Sequence, residues 1–484
     1  MLNLTTRVAL CAAILGAVLA SDVQAQWTVE SLSQSRGGLG AVSVDGKAIF
    51  AGGSNGLVPT DLVDIYDEAT DTWSTSALST PRAGPAAAAV GDYAIFAGGW
   101  DVNQDASAIV DILHVPTMTW TVTTLSVPRW FMGATTVGNQ AIFAGGYTGN
   151  IFSPIFSDVI DIYDADLGTW STATLSEART QPAATTVGDL AIFAGGVTVA
   201  GYTDAVDIYD DSTGLWSTAQ LSVPRLVGVQ SAVTVGTRAY FAGGFDHTQA
   251  VPVFDVIDIY DAQTDEWTTD TLSVARSFSA TAAVGNTILF AGGNALAGVT
   301  DLVDVFDAGT GTWLPATALS LARGGIVRTD VNGKAFFAGG NAGGGSITPI
   351  VDVYEPIASG PWTGLGYALP GVNGDPILLG SGALTTGSAG SLTLSNAAGP
   401  GAPAILFVSL SSTPTPFKGG TLATVPVLIA LGFSTLGSPG GVTLPWNSVP
   451  AGLSGASLYF QCGIQDAGAM QGVALSNALR ADVP

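Results

Sequence analysis

Residues 48–73 read AIFAGGSNGLVPTDLVDIYDEATDTW, and close copies of this stretch recur along most of the chain. The repeat is 46 to 50 residues long, because its Gly-Gly pairs begin at Gly52, Gly98, Gly145, Gly195, Gly243, Gly292 and Gly339. A second apolar run follows each pair, and six copies then place a Trp seven residues after an aromatic residue or Leu of that run: Trp73, Trp120, Trp170, Trp216, Trp267 and Trp313. A period near 50 with short strands and fixed Gly and Trp positions is typical of a β-propeller with one four-stranded blade per repeat.

The repeat resembles the kelch motif, in which a strand ends in Gly-Gly and an aromatic residue and a Trp follow at set distances. The seven copies cover about residues 26–354, so the resemblance implies a seven-bladed kelch-type propeller. A blade that is apolar on both faces must stack against neighbours to bury them. The fold prediction is therefore an all-β chain: a seven-bladed kelch-type β-propeller over residues 26–358, followed by a small β-sandwich domain.

The start of the chain supplies a further strand signal. Trp27 lies in QWTVESLSQSR, which carries the same Leu-Ser-x-x-Arg phrase as the outer strands of later repeats. We expect residues 27–33 to form the outer strand of blade seven, since an open sheet edge would otherwise remain. On this reading Trp362, which follows Tyr354 by eight residues, belongs to a linker.

The N-terminal 25 residues have the pattern of a secretory signal peptide. Arg7 precedes the apolar run VALCAAILGAVLA, and the small-x-small end at Val23-Gln24-Ala25 predicts cleavage before Gln26. We therefore expect a secreted protein, whether extracellular, periplasmic or at the cell surface, whose mature chain keeps only Cys462 and has no disulfide. Net charge is −24, which argues against a nucleic-acid partner or an anionic membrane surface. No later segment is long enough for a membrane span, and we expect a monomer.

One Arg opens each repeat, and one Asp lies in each second apolar run. The arginines are Arg36, Arg82, Arg129, Arg179, Arg225, Arg276 and Arg323. The aspartates are Asp64, Asp111, Asp161, Asp207, Asp258, Asp304 and Asp352. Their regularity favours structural Arg–Asp pairs over a ring of ligand-binding guanidinium groups, because catalysis needs unlike groups converging on one point.

Functional residues are instead sought where the repeats differ, in the segments after Gly-Gly. Candidate ligand-binding residues at the mouth of the central channel are Trp100, Asp101, Trp130, Tyr147, Phe245, His247, Asn294 and Asn341. Aromatic rings beside Asp and Asn suit a carbohydrate or peptide platform. The alternative is that the long loops fold back and bury their own aromatic residues.

Motifs for catalysis or metal binding are weak. Asp101, Asn103 and Asp105 begin like a calcium loop, but Ala106 and Ile112 stand where such a loop needs Gly and Glu. Kelch relatives include copper oxidases with a Cys–Tyr cross-link, yet Cys462 lies outside the repeats. Kelch sugar epimerases are a milder comparison, with no catalytic residue to carry over. We predict no metal and no cofactor, and assign no catalytic residue.

Residues 359–484 are rich in Gly, Ser, Thr and Pro, and their short apolar runs predict the β-sandwich. Cys462 alternates with Leu458, Phe460 and Ile464, which predicts a buried, unreactive thiol. The leading functional hypothesis is a binding protein for a carbohydrate or protein ligand. The alternatives are a carbohydrate-active enzyme that uses the same mouth and a structural or adhesive surface component.

Overall fold

The computed structural model describes residues 26–484, except 57, 332, 356–361, 367–368, 370–371, 373–375, 399, 419, 436–439, 450–451, 454 and 484. The chain divides into two compact units, Trp27–Glu355 and a C-terminal unit that begins at Pro356. The described part is built of strands and two short 3-10 turns. None of its segments forms a helix long and apolar enough to cross a membrane.

Seven four-stranded antiparallel sheets, here called blades 1 to 7, make up the first unit. Strands are given from the inner to the outer edge of each blade. Blade 1 comprises Gly40–Val44, Lys47–Ala51, Leu62–Asp67 and Thr72–Ala77. Blade 2 comprises Ala86–Val90, Tyr93–Ala97, Ile109–His114 and Thr119–Thr124. Blade 3 comprises Gly133–Val137, Gln140–Ala144, Val159–Asp164 and Thr169–Thr174. Blades 4 to 6 comprise Ala183–Val187, Leu190–Ala194, Ala205–Asp210 and Leu215–Gln220; Ala232–Val235, Arg238–Phe245, Val253–Asp261 and Glu266–Thr271; Ala280–Val284, Thr287–Ala291, Leu302–Asp307 and Thr312–Ala318. The all-β, seven-bladed prediction is confirmed.

Blade 7 joins the two ends of the repeat region. Its strands are Val327–Val331, Lys334–Ala338 and Ile350–Glu355, and the outer position is taken by Gln26–Ser31 from the start of the chain. The Trp27 ring packs edge-on against Tyr354 at 5.1 Å between centroids. The inner strand of blade 1 lies beside that of blade 7.

Burial within a blade follows the repeat. The second strand is almost wholly buried, as in Lys47–Ala51, whereas the outer strand Thr72–Ala77 is mostly exposed. Aromatic rings fill the space between blades: Tyr66 of blade 1 lies 5.0 Å from Phe336 of blade 7. Burying one such ring contributes roughly 1.5–3 kcal/mol, so the repeated aromatic positions hold neighbouring blades together.

The Gly-Gly pairs are required where one blade meets the next. Gly98 has φ +64, and a Cβ there would lie 2.2 Å from the carbonyl oxygen of Arg129. Only Gly tolerates both the left-handed backbone and this close approach.

The C-terminal unit contains two larger sheets that share one apolar core. The first has the order Trp362–Gly366, Ala478–Asp482, Ser457–Gln465, Pro403–Ser409 and Ile429–Ser434, with Val473–Leu475 beside Ser457–Gln465. The second contains Ile377–Ser381, Gly390–Ala397 and Gly440–Trp446. Thr415–Phe417 and Gly420–Leu422 form a separate two-stranded hairpin, whose Thr421 carbonyl accepts the side-chain amide of Gln461 in the first sheet at 3.1 Å. Inward side chains of both larger sheets form a single cluster.

Two residues predicted from the sequence lie in this core. Cys462 is fully buried, and burial raises the pKa of its thiol. Trp362 is also buried, stacks on Trp446 at 5.7 Å, and donates its indole N–H to the carbonyl of Gly382 at 3.1 Å. The interpretation of Trp362 as a linker residue was wrong, because its ring is a core element of the C-terminal unit.

Candidate ligand-binding site at the channel mouth

The repeated arginines lie inside the propeller wall. All seven side chains are fully buried, and each pairs with the Asp of the same repeat. In blade 5 the Arg225–Asp258 distance is 2.7 Å, and Arg225 Nε donates to the carbonyl of Gly243 at 2.7 Å. Burial lowers the pKa of Arg225, and the Asp258 carboxylate opposes that effect. These guanidinium groups fix the Gly-Gly corner to its blade and do not face the mouth.

The residues directly after the Gly-Gly pairs lie on one face of the propeller. Each pairs with the residue that follows the repeated Arg, as in Ala83 with Trp100, Trp130 with Tyr147 and Leu226 with Phe245. Asn294 and Asn341 occupy the same place in blades 6 and 7, opposite Ser277 and Gly324. Five of the predicted residues therefore share one rim: Trp100, Tyr147, Phe245, Asn294 and Asn341.

The first aromatic arc runs across blade 3. Its rings are Phe156, Tyr147, Trp130 and Phe131, with successive centroids 5.0, 4.9 and 4.8 Å apart. Trp130 is only 7% exposed, and Trp100 beside it is 8% exposed. These two indoles are buried by their own loops, whereas Tyr147 and Phe131 are partly exposed. Burial also raises the pKa of Tyr147.

The second aromatic arc spans blades 4 to 6. Tyr202 lies 6.0 Å from Phe245 and 5.4 Å from His247, and Phe245 lies 6.4 Å from Phe278. Tyr202 Oη and His247 Nδ1 form a hydrogen bond of 2.5 Å. His247 is exposed at the rim, while Phe278 lies at the inner end of the arc. Phe278 is not among the residues predicted from the sequence.

Both arcs end at one cavity of about 270 Å³ at the mouth of the channel. Phe131 and Phe278 line it, together with the polar residues Gln181, Gln230, Ser231 and Ser279. The lining comes from the segments that lead into the inner strands. The site therefore combines aromatic surface with amide and hydroxyl groups.

The two phenylalanines have a strained backbone. Phe131 has φ +56 and Phe278 has φ +52, at the position held by Gly38, Gly84 and Gly325 in other repeats. A bulky residue in the left-handed region is uncommon, costs of the order of 1–3 kcal/mol, and occurs preferentially at functional sites. Gln181 occupies the equivalent position in blade 4 with φ +52 and also lines the cavity.

Arg328 is a further residue that the sequence analysis missed. It lies on the inner strand of blade 7, where its Nη2 donates to the carbonyl of Ala232 in blade 5 at 2.8 Å. Its backbone N–H donates to Gln230 Oε1 at 3.4 Å. Burial lowers the pKa of Arg328, opposed by Asp330. The inner strand reads VRTDV where blade 2 reads AAAAV, and this difference is visible in the sequence.

Among the described residues that line the cavity, none is one of the eight candidates predicted from the sequence; those candidates lie on the surrounding rim and its loops. Asp101 Oδ1 accepts the backbone N–H groups of Asn103 at 2.8 Å and Asp105 at 3.1 Å, so this loop is held by its own turn. Asn341 Oδ1 similarly accepts the N–H of Gly343 at 2.8 Å. Among the described residues, no group of three or more His, Cys, Asp or Glu side chains is arranged to hold a metal ion.

Comparison with known proteins identifies the repeat motif. The family described as Kelch motif matches residues 35–77, which is the first repeat. No curated protein matches the chain. Among solved structures, that of YjhT is similar, with 16% sequence identity, coverage of 66% of this chain and 95% of that chain, and a TM-score of 0.46.

Proposed function

We propose that this kelch-repeat propeller is a binding protein that receives a carbohydrate at the mouth of its channel. The observation that carries the proposal is the convergence of two aromatic arcs on one cavity, ending at Phe131 and Phe278. Sugar rings present apolar C–H faces that stack on aromatic rings, and hydroxyl groups that need donors and acceptors. The amides of Gln181 and Gln230 and the hydroxyl groups of Ser231 and Ser279 supply those polar partners.

The dimensions of the mouth suit one end of a carbohydrate chain. A cavity of about 270 Å³ lies just below the usual range for drug-sized ligands, so it would hold one small unit. Tyr147, Tyr202 and His247 lie farther out along the arcs, so further sugar units would pass over them. Each has a polar atom for orienting such a ligand.

A protein ligand is the second candidate, and a different observation favours it. The loops of the mouth face carry apolar side chains that are strongly exposed: Val58, Val102, Phe152, Ile155, Val199, Val251 and Leu296. A contiguous exposed apolar patch is typical of a protein docking surface, and all seven of these side chains belong to loops of one face. A protein partner would contact these loop tips first, whereas a carbohydrate would depend on Phe131 and Phe278.

Export of the chain is part of the proposal. The apolar N-terminal run, the small-x-small pattern at Val23-Gln24-Ala25 and the acidic composition support it. Detection of mature protein beginning at Gln26 outside the cytoplasm would test this step.

A glycan array probed with residues 26–484 tests the carbohydrate proposal, and the repeat itself supplies a precise variant. Phe131→Gly and Phe278→Gly place at each position the residue that Gly38, Gly84 and Gly325 already provide. The change removes the aromatic surface and relieves the left-handed strain. We expect a glycan signal for the wild type, and at least a tenfold loss of affinity in the double variant with a melting temperature close to that of the wild type.

Phe152→Ala is the matched control, because Phe152 is a strongly exposed Phe at a loop tip of the same face. It should leave glycan binding unchanged. Absence of any glycan signal, or equal binding by the wild type and the double Gly variant, would refute the carbohydrate proposal. Loss of a protein partner with Phe152→Ala alone would favour the second candidate.

A further inference from the structure

One position in the ring of inner strands differs sharply among the blades. In every blade, one residue of the inner strand pairs with the repeated Phe of the second strand. These inner-strand residues are Ala41, Ala87, Ala134, Ala184, Ala232, Thr281 and Arg328. Six of these side chains are small and one is a long cation. Ala41, Ala87 and Ala134 line the cavity, so Arg328 occupies the strand position that contributes to the cavity wall in blades 1 to 3.

Among the described residues the guanidinium group of Arg328 contacts no carboxylate, and Asp330 acts on it only as a nearby charge that raises its pKa. Each repeated Arg contacts an Asp, whereas the side-chain hydrogen bond of Arg328 goes to the neutral carbonyl of Ala232. Its Nε is buried and has no hydrogen-bond partner among the described residues. Arg328 as a whole is half-buried, and a buried donor such as its Nε is unfavourable when it has no acceptor. An incoming anion would supply both the missing charge and the missing acceptor.

Blade 6 carries two buried hydroxyl groups with unused hydrogen-bonding capacity. This blade lies between blade 7, which carries Arg328, and blade 5, whose Ala232 carbonyl accepts the Arg328 side chain. Ser279 is 1% exposed and Thr281 is 0% exposed, and neither hydroxyl group has a partner among the described residues. Gln230 connects these segments, because its carbonyl accepts the N–H of Thr281 at 2.8 Å and its Oε1 accepts the N–H of Arg328. Ser279 and Gln230 both line the cavity.

We infer that the channel holds an anion site formed by Arg328, Ser279 and Thr281, and that it takes the carboxylate of a small acidic ligand. The planar guanidinium group offers N–H donors that match a carboxylate, and the two hydroxyl groups donate to the same oxygens. A monoanion is favoured over a phosphate dianion, because one cation serves the site and Asp330 stands two residues away on the same strand. The identity of the ligand rests on the proposed carbohydrate function, and the anion site narrows the expected carbohydrates to acidic sugars.

Calorimetric titration of residues 26–484 with glucuronate, glucose and acetate tests the site. The wild type should bind glucuronate at least tenfold more tightly than glucose, and acetate should raise its melting temperature. Arg328→Ala introduces the residue that five other blades carry at this position, so the strand keeps its fold. That variant should lose the preference for glucuronate and the acetate effect while keeping its affinity for glucose. Arg328→Lys should retain part of the preference.

Arg238→Ala is the charge-matched control, because Arg238 is an exposed Arg of blade 5 that pairs with Asp261 away from the cavity. It should leave all three titrations unchanged. Equal affinity of the wild type for glucuronate and glucose would overturn the anion site while leaving the carbohydrate proposal intact. An unchanged glucuronate preference in Arg328→Ala would do the same. Acetate stabilisation that depends on Arg328, without binding of any sugar, would support the anion site and refute the carbohydrate proposal.

Discussion

Removing the carboxylate of Asp258 provides the sharpest test of how the blades are held together. Asp258→Ala leaves the Arg225 guanidinium fully buried, with only the neutral carbonyls of Gly243, Phe241 and Val223 as partners. Breaking a buried ion pair by deleting one partner destabilises a protein by about 3–5 kcal/mol. The backbone N–H of Ser222 also loses its acceptor, Asp258 Oδ1 at 2.9 Å, which adds about 1 kcal/mol.

Equilibrium unfolding in urea at pH 7, followed by Trp fluorescence, measures this loss of free energy. Asp258→Asn should cost less than Asp258→Ala, because its amide oxygen still accepts from Ser222. The matched control is Asp261→Ala, which breaks the Arg238–Asp261 pair of the same blade, where the Arg side chain is 52% exposed. The control should change stability little, since solvent screens such a pair. A loss below about 1 kcal/mol for Asp258→Ala, or a loss no larger than that of the control, would refute the structural role of the Arg–Asp pairs.

Two further predictions concern backbone geometry and the buried thiol. Gly98→Ala should destabilise the propeller by about 2–4 kcal/mol, because the added Cβ would meet the Arg129 carbonyl oxygen at 2.2 Å. Gly56→Ala is its control in thermal unfolding, since φ is +79 there but nothing lies within 4 Å, and an equal effect of both changes would contradict the packing argument. Cys462 should resist a disulfide-exchange reagent at pH 8 in the native protein and react fully in urea, because the thiol is buried and its pKa is raised. Rapid reaction of the folded protein, followed by absorbance, would contradict that burial.

The repeat architecture could be predicted because each blade solves the same packing problem with the same residues. Each repeat has the Gly-Gly pair, the aromatic residue and the Arg at the same spacing. Every further copy therefore strengthens the prediction of one blade per repeat. Trp362 was assigned wrongly for a related reason. It was compared with the repeat register, while its actual partners, such as Trp446, lie in a part of the chain that has no repeat.

The site was harder to predict, because it depends on where side chains point. The sequence places Trp100 and Trp130 beside Tyr147 in the rim loops, but it does not show that the loops cover the two indoles. Phe278 and Arg328 were not predicted because neither lies in a segment after Gly-Gly, where the repeats differ in length and composition. Aligning the residues two positions after each repeated Arg would have shown that Phe278 stands where three other repeats have Gly. Aligning the inner strands would have shown that Arg328 stands where the other blades have Ala or Thr.

The strand Gln26–Ser31 has a consequence for how the protein is made. It leaves the ribosome before any repeat, yet its neighbour in the sheet, Ile350–Glu355, is translated more than 300 residues later. Blade 7 therefore has no complete set of strands until the whole repeat region has been synthesised. Until then Gln26–Ser31 has no partner strand in blade 7, whereas blades 1 to 6 already have all of their own strands. Closure of the ring therefore depends on a pairing between strands from the two ends of the repeat region.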